Sequence, residues 1–268
     1  MKNNKTKKII LTYIYLFIPF ILYSLYKNGY LLYKDNLINV FSIFKPIYLI
    51  VISIILLYIF NKYIYKNKYN LFDLINIILI TMCISPNINY ILFILLISLY
   101  LFLRLIININ LVSLIILISY LFTSIMNIGE STYIYELSII DIFIGRNISG
   151  LCTSSILLIL ISLFVLSTSI YYKRIIPIIS IIGYIGLSII YYIITKDNSL
   201  LFNSIYYFSV VFISTIPEYS PSNNKDMIIY SIILFIGSFL ISLINPYISI
   251  FIVLLIISIL NRLQGVKK

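Results

Sequence analysis

The sequence contains no histidine and no tryptophan, only two cysteines and eight glycines, and charged residues make up just 10% of its 268 positions. Each shortage excludes something. Without histidine there is no His-ligated metal or haem and no His-based catalytic triad. Cys83 and Cys152 are far apart in sequence and near expected helix ends, where they read as small apolar fillers. The glycines nowhere gather as a phosphate loop requires, and no carboxylates pair on a helix face, so neither a nucleotide loop nor a catalytic dyad is present. Charge is too sparse to coat a water-soluble globule. A soluble domain is roughly 45–50% apolar and about 25% charged, whereas this chain is 62% hydrophobic with a mean hydropathy of +1.11.

What is there is a succession of apolar runs. Ten of them, roughly 9–26, 46–60, 71–84, 88–107, 111–127, 151–171, 175–194, 199–215, 227–243 and 246–261, are separated by polar breaks. They lack the alternation of barrel strands, so they predict membrane helices, in which every backbone group is satisfied internally. The expected fold is therefore all-α and polytopic, in a cell (plasma) membrane. The start, MKNNKTKK before an apolar run, imitates a signal peptide, but no small-residue cleavage site follows, so a retained first span is expected.

The net charge of +11 is not a nucleic-acid signal; its placement is what matters. With the N-terminus inside and ten alternating spans, 14 of the 19 basic residues fall on the cytoplasmic side. Only Lys27, Lys34, Lys45, Arg146 and Lys196 fall outside. By the positive-inside rule both termini are then cytoplasmic. The bias toward Ile, Lys, Asn and Tyr is a coding-composition bias, so the 26 tyrosines carry little weight beyond interfacial anchoring.

Most outer loops are short. The exception is 128–150, which carries Glu130, Glu136, Asp141, Arg146 and three glycines. Segment 28–45 is partly amphipathic and reads as an interfacial stretch. Span 3 ends in Ser85-Pro86 and span 8 in Ser220-Pro221, each the third span of a five-span half. Five is odd, so the halves, 1–127 and 151–268 around the loop, take opposite orientations. Matched short or Pro-broken spans predict two inverted five-helix repeats with a site between them. A Ser-Pro that merely starts a turn is the plainer reading. Asp73 reads either as a cap on span 3 or as a group facing that site, and Arg104 as a side chain snorkelling to headgroups. TIPEYSP, 215–221, puts two prolines around an acid directly after an apolar span. It is either an ordinary inner loop or irregular backbone near membrane depth.

Three stretches carry a resemblance. DIFIGRNISGLCTSS (141–155), KRIIP (173–177) and FISTIPEYSPSNNKDMIIY (212–230) resemble the RnfD/NqrB family, membrane proteins of Rnf electron-transport complexes and of the related sodium-pumping NADH:quinone reductase. Thr215, Pro217, Ser220 and Pro221 match the family's Thr-Asp-Pro-x-Thr-Ser-Pro motif, with Ile216 in place of the Asp and Tyr219 in place of the second Thr. Asp73, the SPN at 85–87, Asn108 and Asn110 follow in the family's order. The resemblance implies a protein that relays electrons through FMN and helps couple that flow to Na+ or H+ transport, together with other membrane subunits of an Rnf-type complex. It also implies FMN joined to a threonine of the outer loop. The family's attachment motif is not intact, and Thr132 is the nearest match, followed by Ser131 and, more distantly, Thr153, with Arg146 as a phosphate partner. A small-solute transporter or channel on the same inverted repeat, and an assembly factor without a redox group, are the other two readings. Bound flavin separates the first reading from both.

Overall fold

The computed structural model describes residues 2–65, 71–107, 109–125, 138–146, 149–169 and 171–265. It is helical, with no strand among the described residues. In chain order the helices are α1 (Lys2–Ser24), α2 (Leu32–Lys34), α3 (Val40–Ile43), α4 (Lys45–Tyr63), α5 (Leu71–Cys83), α6 (Tyr90–Ile106), α7 (Leu111–Ile125), α8 (Ile139–Ile144), α9 (Ile156–Ser167), α10 (Ile175–Thr195), α11 (Ser204–Phe212), α12 (Asn224–Ser242) and α13 (Ser249–Gly265). A π-helical stretch, Leu25–Leu31, joins α1 to α2.

Four helical stretches are long and apolar enough to cross a membrane: Ile9–Lys34, Lys45–Tyr63, Ile175–Thr195 and Asn224–Ser242. Five shorter apolar helices and the nine-residue α11 complete the set. The long helices turn rows of isoleucine outward, such as Ile182, Ile189 and Ile193 on α10 and Ile229, Ile233 and Ile236 on α12. In water a continuous apolar surface of this kind would drive association; it is consistent with a polytopic membrane protein whose surface meets acyl chains.

The two short helices at the Ser-Pro positions are the most enclosed. Every residue of α11 is buried, and so is nearly all of α5 from Asp73 onward. Around α5 pack α1, α4 and α7; around α11 pack α9, α10 and α13. α1 also reaches the second half directly. Tyr13, Phe17 and Phe20 meet Phe208 and Phe212 of α11 at ring-centre distances of 5.3–5.8 Å. Edge-on and tilted contacts of this kind add stabilisation beyond area burial. On the far side α7 packs on α13, with Tyr120 stacked on Tyr247 and Phe251.

Two helices, α9 and α11, are much shorter than their apolar runs. The 151–171 run becomes helical only at Ile156, because the backbone of Leu151 and Cys152 is already spent across the interface. Their N–H groups donate to the carbonyls of Ile84 (2.7 Å) and Met82 (2.9 Å) at the end of α5. The 199–215 run is helical only over 204–212, capped at its start by the Asn203 side chain, which accepts from the Tyr206 N–H at 3.1 Å. Within the 128–150 loop the described residues include α8, started by the Ser138 hydroxyl and stopped at Gly145. Segment 28–45 is largely helical, through the π-helical stretch, α2 and α3.

Candidate functional site

At one end of the bundle the chain after α11 turns back on itself. Thr215 Oγ donates to the Val211 carbonyl at 2.8 Å, and the N–H groups of Tyr219 and Ser220 both return to the Ile216 carbonyl at 3.1 Å. This strap, residues 213–223, carries Thr215, Pro217, Ser220 and Pro221, and it places Glu218 and Tyr219 opposite the end of α6.

There Arg104 joins three groups. Its Nε donates to Asp73 Oδ1 at 3.1 Å, its Nη2 to both Glu218 carboxylate oxygens at 2.7 and 2.8 Å, and its Nη1 to the Tyr219 hydroxyl at 3.4 Å. Tyr100 OH lies 3.5 Å from the same Asp73 oxygen. The Asp73 side chain is 5% exposed and that of Arg104 15%. A carboxylate withdrawn so far from water costs several kcal/mol unless it is paired. Only a planar, forked guanidinium serves two carboxylates from different directions at once. Arg104 therefore does not snorkel; it folds inward because Asp73 and Glu218 both face it. Asp73, three residues into α5, is an ion-pair partner in its first turn. One helical turn further on, Asn76 is fully buried and its amide makes no well-formed hydrogen bond.

The strap is held on its other side by Lys173, whose ammonium donates to the Ser220 carbonyl (2.8 Å) and hydroxyl (2.6 Å). Half-burial lowers the Lys173 pKa below the usual lysine value, and burial raises that of the Tyr219 phenol. Beside the strap, between α1 and α9, lies a small, partly open cleft of about 20 Å³, room for about one water. It is lined by Thr12, Tyr13, Ser169, Tyr172, Thr215 and Pro217 among others. Tyr13 OH and Thr215 Oγ meet across it at 3.1 Å. Most of these groups carry hydroxyls and none carries a charge.

Of the remaining expected site residues, Arg146 and Thr153 lie at the opposite end, beyond the twelve residues of α9, or roughly 18 Å. Thr132 and Ser131 lie outside the described residues. Arg146 is at the surface and donates to Asp141 Oδ1 at 2.9 Å. Asp141 also accepts from Ser138 Oγ at 2.7 Å, and this bond, with Arg146, lowers its carboxyl pKa. Gly145, at φ +117°, and Gly150 are both needed here. A Cβ would come within 2.7 Å of the Ser155 backbone at Gly145, and within 2.6 Å of the Cys83 carbonyl oxygen at Gly150. Thr153 is fully buried just beyond, so it does not fit as an anchor for a phosphate-bearing group. Arg146 meets Asp141 through Nη1 and its side chain is half exposed, so its fork can also meet a phosphate.

The structure thus brings Asp73, Thr215, Pro217, Ser220 and Pro221 to one end and leaves Arg146 and Thr153 at the other. Sequence reasoning missed Arg104, Glu218, Lys173 and Tyr13 as members of the first group. Glu218 was within reach, since an acid between two prolines after an apolar span needs a cation nearby. Arg104, the only arginine between residues 1 and 145, was the cation to test. No protein-family model and no curated protein matches this chain.

Proposed function

We propose that the chain is the RnfD-like membrane protein of an Rnf-type ion-translocating electron-transport complex. One observation carries this reading. Two of the three stretches that resemble the family are in contact, Lys173 being bonded to Ser220 of the strap, and the third folds back on itself, with Gly145 seated against the Ser154–Ser155 backbone. Residues retained from a distant ancestor should be those that geometry constrains, and these are.

The packing also supports ten crossings in two inverted halves. Pairing α1, α4, α5, α6 and α7 with α9, α10, α11, α12 and α13 matches nearly every packed pair in one half to one in the other. The helix pairs that bridge the halves most closely, α1 with α9 and α7 with α13, are each equivalent to themselves under that exchange, as a two-fold axis requires. On this reading the Arg104 end is cytoplasmic and the α8 end faces outward. Cysteine labelling tests it. Ser138→Cys should react from outside and Ser222→Cys only after permeabilisation; the reverse would sink the orientation.

A flavin, when bound, supplies the electron-carrying chemistry. The chain positions it and sets its electrostatics. We place the FMN anchor on Thr132, with Ser131 as the alternative and Arg146 as the phosphate partner. Other membrane subunits of the complex then supply and remove electrons, and Na+ or H+ movement is coupled to that flow. In-gel flavin fluorescence of the denatured protein, expressed with a flavin transferase, is expected for wild type and absent for Thr132→Val. Absence from wild type would remove covalent flavin from the proposal. The uncharged, hydroxyl-lined cleft between α1 and α9 favours the competing reading, a small-solute transporter or channel. That reading wins if the protein purifies alone, without flavin, and still moves a solute.

A further inference from the structure

The two ends of the interface between the halves are joined by different kinds of bond. Near Leu151 the join includes main chain to main chain bonds, with the Ser24 and Asn28 side chains added on the Leu151 carbonyl. At the strap it is made through side chains: among the described residues, Tyr13 to Thr215, and Arg104 to Glu218 and Tyr219, tie 213–223 to the first half. The backbone hydrogen bonds of the strap, such as those from Ile216, Tyr219 and Ser220, stay within its own half.

The ion cluster is also unequally divided. Asp73 and Arg104 belong to the same half and are the more deeply buried pair; Glu218, 19% exposed, comes from the other half. Removing Arg104 would strand a buried carboxylate. Moving Glu218 away does not strand Arg104, which keeps Asp73, and Glu218 is the most exposed of the three. The partnership can therefore open without leaving an uncompensated charge behind. What lies under the strap is the cleft, since Thr215 and Pro217 are part of its wall.

From this we infer that residues 213–223 form a lid over the cleft between α1 and α9, latched to the first half by the Arg104–Glu218 ion pair. Lys173, on Ser220, and Tyr172, whose hydroxyl donates to the Val211 carbonyl at 2.8 Å, are the fixed side of that lid. Opening breaks the latch and the Tyr13–Thr215 bond and leaves the α5 end and the Leu151 join in place. The inference stands whether the chain is a redox subunit or a solute carrier, because it concerns access to the cleft rather than its occupant.

The experiment uses the full chain in detergent with Ser169→Cys placed in the cleft wall, against the parent protein, whose two native cysteines are buried. Maleimide modification of Ser169→Cys is expected to quicken about fivefold when Glu218→Gln is added, the scale set by one partly exposed ion pair. Raised salt should quicken it in the wild-type latch but not in the Glu218→Gln background. Ser199→Cys, at the opposite end, should react at the same rate in both. Hydrogen exchange should rise over 213–223 and stay unchanged over 149–155. An unchanged rate at Ser169→Cys overturns the lid. So does an equal rise at Ser199→Cys, which would mean general loosening instead.

Discussion

The Leu151 join and the Arg104 join do the same job with opposite chemistry. At the first, Leu151 and Cys152 donate from the backbone to the end of α5. Ser24 Oγ (2.6 Å) and Asn28 Nδ2 (2.7 Å) then donate to the Leu151 carbonyl, and Gly150 lets the chain lie against Cys83. No charge takes part, and the Ser24 bond is buried. At the second, the contacts are a guanidinium, two carboxylates and tyrosine hydroxyls, reached by side chains at the rim. Backbone bonds fix a register and cannot be exchanged without unfolding the segment that makes them. Side-chain ion pairs near water can be swapped for hydration at little net cost. The difference assigns the fixed point of the molecule to one end and its adjustable point to the other.

The largest test is at the fixed end. Gly150→Val drives a branched side chain into the Cys83 carbonyl, a backbone atom that cannot step aside. We expect a loss of about 3 kcal/mol or more from overpacking and displaced hydrogen bonds, read as collapse of the monodisperse peak in size-exclusion chromatography. A variant that purifies and melts like wild type would show that the join is not rigid. Next come the two sides of the ion cluster. Arg104→Met, leaving Asp73 buried and unpaired, should cost about 3–5 kcal/mol, while Glu218→Gln should cost about 1 kcal/mol or less. Thermal unfolding in detergent ranks them, and equal losses would erase the inequality between Asp73 and Glu218.

The smallest effect is expected at α8. The Asp141 pKa is depressed in the fold by the Ser138 hydroxyl and by Arg146. A depressed carboxyl stabilises above its ordinary pKa, and that contribution disappears as pH falls through the lower folded value. Amide protection factors over 139–145, taken relative to intrinsic exchange at each pH, should therefore fall on acidification below the ordinary aspartate range. They should lose this fall in Asp141→Asn, with those over 213–223 unaffected in both.

The apolar runs made the long helices legible. The run at 46–60 became Lys45–Tyr63, and that at 175–194 became Ile175–Thr195, because a stretch that long and that apolar has only one way to satisfy its backbone. Both Ser-Pro breaks fell after short, enclosed helices. The same runs misled at 151–155 and 199–203. There apolar residues (Leu151, Cys152, Leu200, Leu201 and Phe202) stand beside polar ones, and tertiary bonds from Leu151 and Cys152, and the Asn203 cap, take the backbone before a helix can start. The candidate site was legible only from its strap. Arg104 and Glu218 are 114 residues apart, and neither carries a local mark of the other. Their pairing exists only once the end of α6 and the strap after α11 have been brought together. Asp73 was legible as polar in an apolar run, but its partner was not, since a carboxylate in a first helical turn reads as readily as a cap.

The complete enclosure of α11 bears on how the protein is made. Nine helical residues rise roughly 14 Å, less than half of a hydrocarbon core about 30 Å thick. Such a segment, flanked by Asn203 and a proline-rich strap, has little of its own to hold it in a bilayer while it leaves the ribosome. α9 and α10 are synthesised before it, α12 and α13 after it, and two of its three helical neighbours in the second half, α9 and α10, are therefore already waiting. The third, α13, arrives more than forty residues later, so the seat of α11 is completed only after α12 and α13 have both been synthesised. Ribosome-bound chains truncated before α13 should accordingly leave α11 open to protease or to thiol reagents, and chains that include α13 should not.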